Sequence, residues 1–79
     1  MNRKTNRLSR GKRILTEIMK VKRPISATEL RTRMRVDYYI LAEDLELLKD
    51  NGEVRRIPDG SYLKWGITDK GIKFLEEKK

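Results

Sequence analysis

The chain has 79 residues, enough for one small domain whose core must use nearly all of its large apolar side chains. It contains no cysteine and no histidine, which excludes a disulfide, a zinc site built on these ligands and a Ser/His or Cys/His nucleophile. The formal net charge of +8 favours a polyanionic partner, with nucleic acid first and an anionic membrane surface second.

The positive charge is unevenly distributed along the chain. Residues 1–13 carry six basic and no acidic side chains, whereas residues 37–52 carry five acids against Lys49 alone. The uncharged stretches are too short for a membrane span. We interpret residues 1–7 as a basic flexible arm, because Met1 is their only apolar residue, and residues 8–79 as the folded domain.

Two helices are predicted in the first half of the domain. The first begins near residues 8–10 and runs to about Lys20, before Pro24 prevents a continuous helix. The second begins with a capping box, in which Ser26 caps the free amides and Glu29 reaches back. Ile25 and Leu30 have the spacing of a hydrophobic staple, and this helix runs to about Met34.

A third helix follows after a turn of only a few residues. Asp37 is its predicted N-cap, and Gly52 supplies the left-handed stop at its end. Its apolar residues recur at three- and four-residue steps, at Leu41, Leu45 and Leu48. The same periodicity turns Tyr38 inward and Tyr39 outward.

The rest of the chain predicts a hairpin and a last helix. Residues 54–57 and 62–67 form two short strands around a turn over residues 58–61. Trp65 on the second strand is expected to pack in the core rather than to stack on a base. Thr68 caps the last helix, in which Gly71 indicates either a close approach of another backbone or a tolerated defect.

This order predicts a winged helix-turn-helix fold. It is mainly α with a small β-hairpin, and has a three-helix core, a two-stranded wing and a C-terminal helix. The run PISATELRTRMRVDYYILAEDLELLKDNGEVRRI resembles the helix-turn-helix stretch of small archaeal winged-helix DNA-binding proteins. The closing LKWGITDKGIKFLEE resembles their wing-to-last-helix signature, which is a strand followed by Thr-x-Lys-Gly and an aromatic-Leu pair. The resemblance spans residues 10–77 and implies binding of double-stranded DNA, often as a homodimer.

The fold predicts which residues would contact DNA. The third helix would enter the major groove by its N-terminal residues, and the basic wing would lie on the flanking backbone or minor groove. The amides behind Ser26 and Thr28 would form a phosphate seat. The arginines are expected on one side of the molecule beside the third helix, with Glu43 and Glu46 turned away from DNA. If they are not, an adaptor role is the better account. The candidate DNA-binding residues are Ser26, Thr28, Arg33, Arg35, Asp37, Tyr39, Ala42, Arg55, Arg56 and Lys64.

Arg55 and Arg56 should face opposite ways on a strand, so that only one of them contacts DNA. We expect a cytoplasmic, nucleoid-associated regulator of transcription with no enzymatic activity, cofactor, metal ion or small-molecule substrate. The acidic third helix leaves a protein-interaction adaptor as the alternative, and RNA binding as a third option. Homodimerisation through the first or the last helix is a further prediction.

Overall fold

A computed structural model describes the backbone of residues 3–76 and the side chains of residues 9–76. The elements follow in the order α1 (Arg3–Val21), β1 (Ile25–Ser26), α2 (Ala27–Met34), α3 (Tyr38–Asp50), β2 (Val54–Asp59), β3 (Tyr62–Ile67) and α4 (Asp69–Glu76). The strands form one antiparallel sheet in the order β1-β3-β2. The predicted winged helix-turn-helix fold is confirmed, with one more strand than the sequence predicted.

The additional strand, β1, joins the helix-turn-helix to the wing. It has two residues, and Ile25 pairs with Trp65 while Ser26 pairs with Lys64. A two-residue strand has no periodicity of its own, so only its pairing with β3 reveals it. Because β3 is thereby the central strand, β2 lies at an edge of the sheet. An edge position explains how β2 continues through Pro58 to Asp59, beyond its predicted end.

The first helix begins at Arg3, earlier than the predicted start near residues 8–10. The backbone of residues 3–7 is therefore helical where the sequence predicted a flexible arm, and residues 1–2 lie outside the described residues. Residues 3–10 contain neither proline nor glycine, and their arginines and lysine are good helix formers. Helical propensity therefore extends α1 although this segment lacks an apolar stripe.

The predicted caps of α2 and α3 are present. The Ser26 hydroxyl accepts a hydrogen bond from the Glu29 backbone N–H at 3.1 Å, and the Asp37 carboxylate accepts one from the Ile40 N–H at 3.1 Å. The Glu29 carboxylate accepts from Arg23 at 2.9 Å instead of reaching back to Ser26, so only half of the predicted capping box forms. These caps fix where both helices of the helix-turn-helix begin.

The end of α3 is set by Gly52, as predicted. Gly52 has a φ of +82°, and its N–H donates to the Lys49 carbonyl while the Glu53 N–H donates to the Leu48 carbonyl. These two bonds form a Schellman motif, which satisfies the last carbonyls of the helix and reverses the chain into β2.

One core joins α1, α2, α3 and the base of the sheet. Its fully buried residues include Leu15, Leu30 and Leu45, one from each of the three helices. Trp65 of β3 is only 5% exposed, which confirms its predicted place in the core. Beside this core, Arg10 of α1 donates to the buried Asp44 of α3 at 2.7 Å. The hydrogen bond that Arg10 donates to Asp44 is the main cause that raises the pKa of the Arg10 guanidinium, and the pair ties α1 to α3.

The last helix packs directly on the start of the hairpin. Thr68 caps it as predicted, with its hydroxyl accepting from the Gly71 N–H at 3.1 Å and donating to the Gly52 carbonyl at 2.6 Å. A Cβ at Gly71 would collide with the Glu53 carbonyl oxygen. Of the two readings of Gly71, close approach of another backbone is the correct one.

Candidate nucleic-acid interface

A cleft of about 350 Å³ lies between α3 and the wing, which is the hairpin of β2 and β3. We call it the α3–wing cleft. The α3 helix contributes Tyr38, Ala42 and Glu46, which are spaced four residues apart and therefore lie on one stripe. The full lining is Ser26, Ala27, Thr28, Tyr38, Ala42, Leu45, Glu46, Ser61, Tyr62, Leu63 and Trp65.

Two exposed tyrosines, Tyr38 and Tyr62, line this cleft, and Tyr39 lies beside Tyr38. Tyr39 is 81% exposed, as predicted, and Tyr62 on the wing is 71% exposed. Tyr38 is 43% exposed, so the prediction that it faces the core is wrong. It stands in the first turn of α3, at the edge of the apolar stripe, with its ring 5.7 Å from that of Tyr39 in a T-shaped contact. The start of α3 thus presents an aromatic surface.

The beginning of α2 lies on the same side. Ser26 and Thr28 both line the cleft, and Thr28 is exposed. The Ser26 hydroxyl already occupies the Glu29 N–H, so it removes one amide from the predicted phosphate seat. Asp37 is also exposed, and its carboxylate accepts a hydrogen bond from the Ile40 N–H. Arg35 is exposed and ends α2 in the left-handed conformation, with a φ of 57°.

Two of the basic residues predicted to bind DNA form ion pairs with carboxylates of this chain. The Arg33 Nε is 3.2 Å from a Glu17 oxygen, so Arg33 is directed toward α1. The Lys64 Nζ is 3.0 Å from an Asp59 oxygen. Near them, the hydrogen bond from Arg23 is the main cause that lowers the pKa of the Glu29 carboxyl. The positive charges of Arg23, Arg33 and Lys64 are therefore each paired with a carboxylate.

The two neighbouring wing arginines face opposite sides of the sheet, as the sequence predicted. Arg56 pairs in register with the buried Trp65, and its Nη1 is 4.0 Å from a Glu46 oxygen at the cleft. Arg55 pairs with Gly66 and lines a separate groove of about 330 Å³ with residues of α1, among them Ile18 and Met19. Only Arg56 is therefore placed beside α3.

The expectation that the arginines share one side of the molecule is wrong. The structure brings Ser26, Thr28 and Ala42 together around the cleft, with Arg56 near its acidic edge. Arg33 and Arg55 lie on other surfaces, because each belongs to a part of its element that faces α1.

Of the two acids expected to turn away from DNA, Glu43 lies outside the cleft lining and Glu46 is part of it. Glu43 is exposed, and it adds to the field that raises the pKa of Arg10 on the α1 side. Glu46 lines the cleft, as do Tyr38, Tyr62 and Leu63, which the sequence prediction omitted. The four-residue spacing from Tyr38 to Glu46 was the signal that could have found the α3 members.

The described residues 3–76 hold no group of three or more acidic residues that could bind a metal ion. No helix in that range is long and apolar enough to cross a membrane.

Solved structures of transcriptional regulators share this fold. The oxidised form of MarR from E. coli covers 84% of the chain with a TM-score of 0.76 and 26% sequence identity. A mutant MarR complexed with operator DNA covers 84% with a TM-score of 0.76 and 25% identity. BldR from Sulfolobus solfataricus covers 80% with a TM-score of 0.69 and 25% identity.

The chain spans about half the length of these three proteins, 48%, 49% and 48% respectively. No protein-family model and no curated protein sequence matches it. Among these neighbours, BldR is a transcriptional regulator and the mutant MarR is bound to operator DNA. The chain therefore has the winged-helix fold of these solved structures.

Proposed function

We propose that the chain is a transcriptional regulator that binds double-stranded DNA. Its third helix enters the major groove, and its wing contacts the flanking backbone or minor groove. The observation that carries the proposal is the α3–wing cleft, formed in a fold that matches a MarR–operator DNA complex with a TM-score of 0.76. The net charge of +8 supplies the general attraction to phosphate.

The residues around the start of α3 divide into two roles in this proposal. Tyr39 and Ala42 would contact base edges, and an alanine methyl suits contact with a thymine methyl. Thr28 in the first turn of α2 and Arg35 at the C-cap of the same helix are exposed, and both side chains suit phosphate oxygens. Arg33 and Lys64 would first have to leave Glu17 and Asp59.

The experiment is an anisotropy titration of a labelled mixed-sequence duplex at two salt concentrations. We expect binding that weakens steeply with salt, because the protein releases counterions from the phosphates. Arg56→Ala should weaken binding by about 3–10-fold, the scale of one lost phosphate contact. Arg55→Ala is the matched control, since it removes the same charge one residue away but on the opposite face of the sheet.

Two results would contradict the proposal. Absence of duplex binding by the wild type, even at low salt, removes DNA binding altogether. Equal losses in Arg55→Ala and Arg56→Ala would show that net charge, and not the α3–wing face, determines binding.

We propose further that the protein acts as a homodimer, which would match a two-fold symmetric site. The half-buried Phe74 and Leu75 on α4 leave apolar surface that a second copy would cover. Light scattering should show twice the chain mass of 9.4 kDa at tens of micromolar. A monomer mass at that concentration would contradict a stable dimer.

The lining of the α3–wing cleft favours one other function, a protein-interaction adaptor. Among the described residues that line it, the single charge is the Glu46 carboxylate, and tyrosines such as Tyr38 and Tyr62 are frequent anchors of protein interfaces. The same titration separates the two functions. An adaptor would bind the duplex weakly or not at all, and Arg56→Ala would have no specific effect on that binding.

A further inference from the structure

Glu46 is the one charged residue in the described lining of the α3–wing cleft. Its carboxylate is 51% exposed and lies 4.0 Å from Nη1 of Arg56 and 3.4 Å from Nζ of Lys49. The carboxylate therefore occupies the edge of the cleft on the side where the wing arginine would meet a phosphate. A carboxylate at this position repels phosphate and attracts the same cation that phosphate would attract.

The two cations beside Glu46 are not equivalent. Lys49 also has the Asp50 carboxylate at 3.6 Å, so it keeps an acidic partner when Glu46 is neutralised. Arg56 makes its ion pair with Glu46 alone among the described carboxylates. Arg56 is thus the cation whose availability depends on Glu46.

This ion pair is well suited to competition with DNA. Both side chains are about half exposed, at 48% for Arg56 and 51% for Glu46, so water and salt screen their attraction. Such a pair is weak enough to open when a phosphate approaches. It is also present in the free protein, so a phosphate must compete with Glu46 for Arg56.

We propose that Glu46 is an affinity-limiting residue of the DNA interface, which acts by competing with backbone phosphate for Arg56. The inference rests on the proposed DNA-binding function and names a residue that limits the affinity for DNA. Pairing with Glu46 lowers the charge that Arg56 offers to any phosphate and so reduces the sequence-independent share of binding. Contacts of bases with the start of α3 then contribute a larger share of the total affinity.

The test compares the wild type with Glu46→Gln, Arg56→Ala and the double variant, in titrations of a mixed-sequence duplex over a range of salt concentrations. Glu46→Gln should bind about 2–5-fold more tightly than the wild type, the scale of one half-exposed ion pair. Its plot of log affinity against log salt should be steeper by less than about 0.9, the contribution of one whole phosphate contact, because Arg56 then contacts phosphate in a larger share of the complexes. In the Arg56→Ala background the same substitution should leave the slope unchanged, because no cation is released.

Glu43→Gln is the matched control, since it removes the same charge from an exposed position of α3 outside the cleft lining. We expect it to change affinity by less than a third as much as Glu46→Gln. An equal gain in both variants would assign the effect to net charge and overturn the inference. A slope that steepens as much without Arg56 would overturn it too.

The wild-type titration separates this inference from the proposed function. If the wild type binds the duplex and Glu46→Gln binds no better, the inference that Glu46 limits affinity is wrong, while the proposed DNA binding stands. If neither protein binds at low salt, the proposed function fails and this inference fails with it.

Discussion

The base and the tip of the wing differ in what holds them. At the base, Val54 and Trp65 are 2% and 5% exposed, and α4 packs against the Glu53 backbone at Gly71. At the tip, residues 58–63 are all exposed. The base is held by the core of the whole domain, whereas the tip depends on its own strand pairing and turn. Substitutions at the base should therefore change stability, and substitutions at the tip should change binding.

The strongest way to test this difference is to truncate one aromatic residue in each region. Trp65→Ala should lower the free energy of unfolding by about 3–5 kcal/mol, because it removes a large buried side chain and leaves a cavity. Tyr62→Ala, three residues earlier on the same strand, is the control and should change it by no more than about 0.5 kcal/mol. Urea unfolding followed by circular dichroism measures both, since Trp65 is the chain's only tryptophan and its variant loses that fluorescence.

A loss of stability in Tyr62→Ala as large as in Trp65→Ala would break the distinction between tip and base. It would mean that the tip contributes to the core in solution. A Trp65→Ala variant with no unfolding transition would agree with the expected loss, since a domain of this size has little stability to spare.

A smaller effect is expected from the acid at the base of the wing. Burial is the main cause that raises the pKa of the Glu53 carboxyl, against the opposing field of Lys70. A raised pKa in the folded state means that the ionised carboxylate opposes folding at neutral pH. Glu53→Gln should therefore be more stable than the wild type at neutral pH, by less than about 1 kcal/mol.

The pH dependence gives the sign of this effect. The cost of ionised Glu53 is fully present above its pKa in the folded state, and it disappears as pH falls through the ordinary glutamate value of 4.5. The advantage of Glu53→Gln should shrink accordingly when unfolding is measured at successively lower pH. A constant advantage from neutral to acid pH would show that packing, and not charge burial, distinguishes the variant.

The elements of the helix-turn-helix were predictable because their signals are local. Ser26, Asp37 and Gly52 each set a helix end through hydrogen bonds or dihedral angles within a few residues. The positions of Tyr39 and Ala42 on α3 were predictable from the start of the helix, because helical periodicity then fixes the face on which each residue lies. Strand alternation likewise separated Arg55 from Arg56 without any knowledge of their neighbours.

Local sequence patterns predicted the order of the helices, the residues at which α2 and α3 begin and end, and most of the core. Only the tertiary contacts show on which surface each charged side chain lies. Arg33 turns to Glu17 on α1, Asp44 is buried against Arg10, and Glu46 reaches Arg56 across the cleft. These partners are separated by ten or more residues, and ion pairing has no sequence period that would reveal them. The pairing of β1 with β3 is decided in the same way, because a strand of two residues is defined by its neighbour rather than by its own pattern.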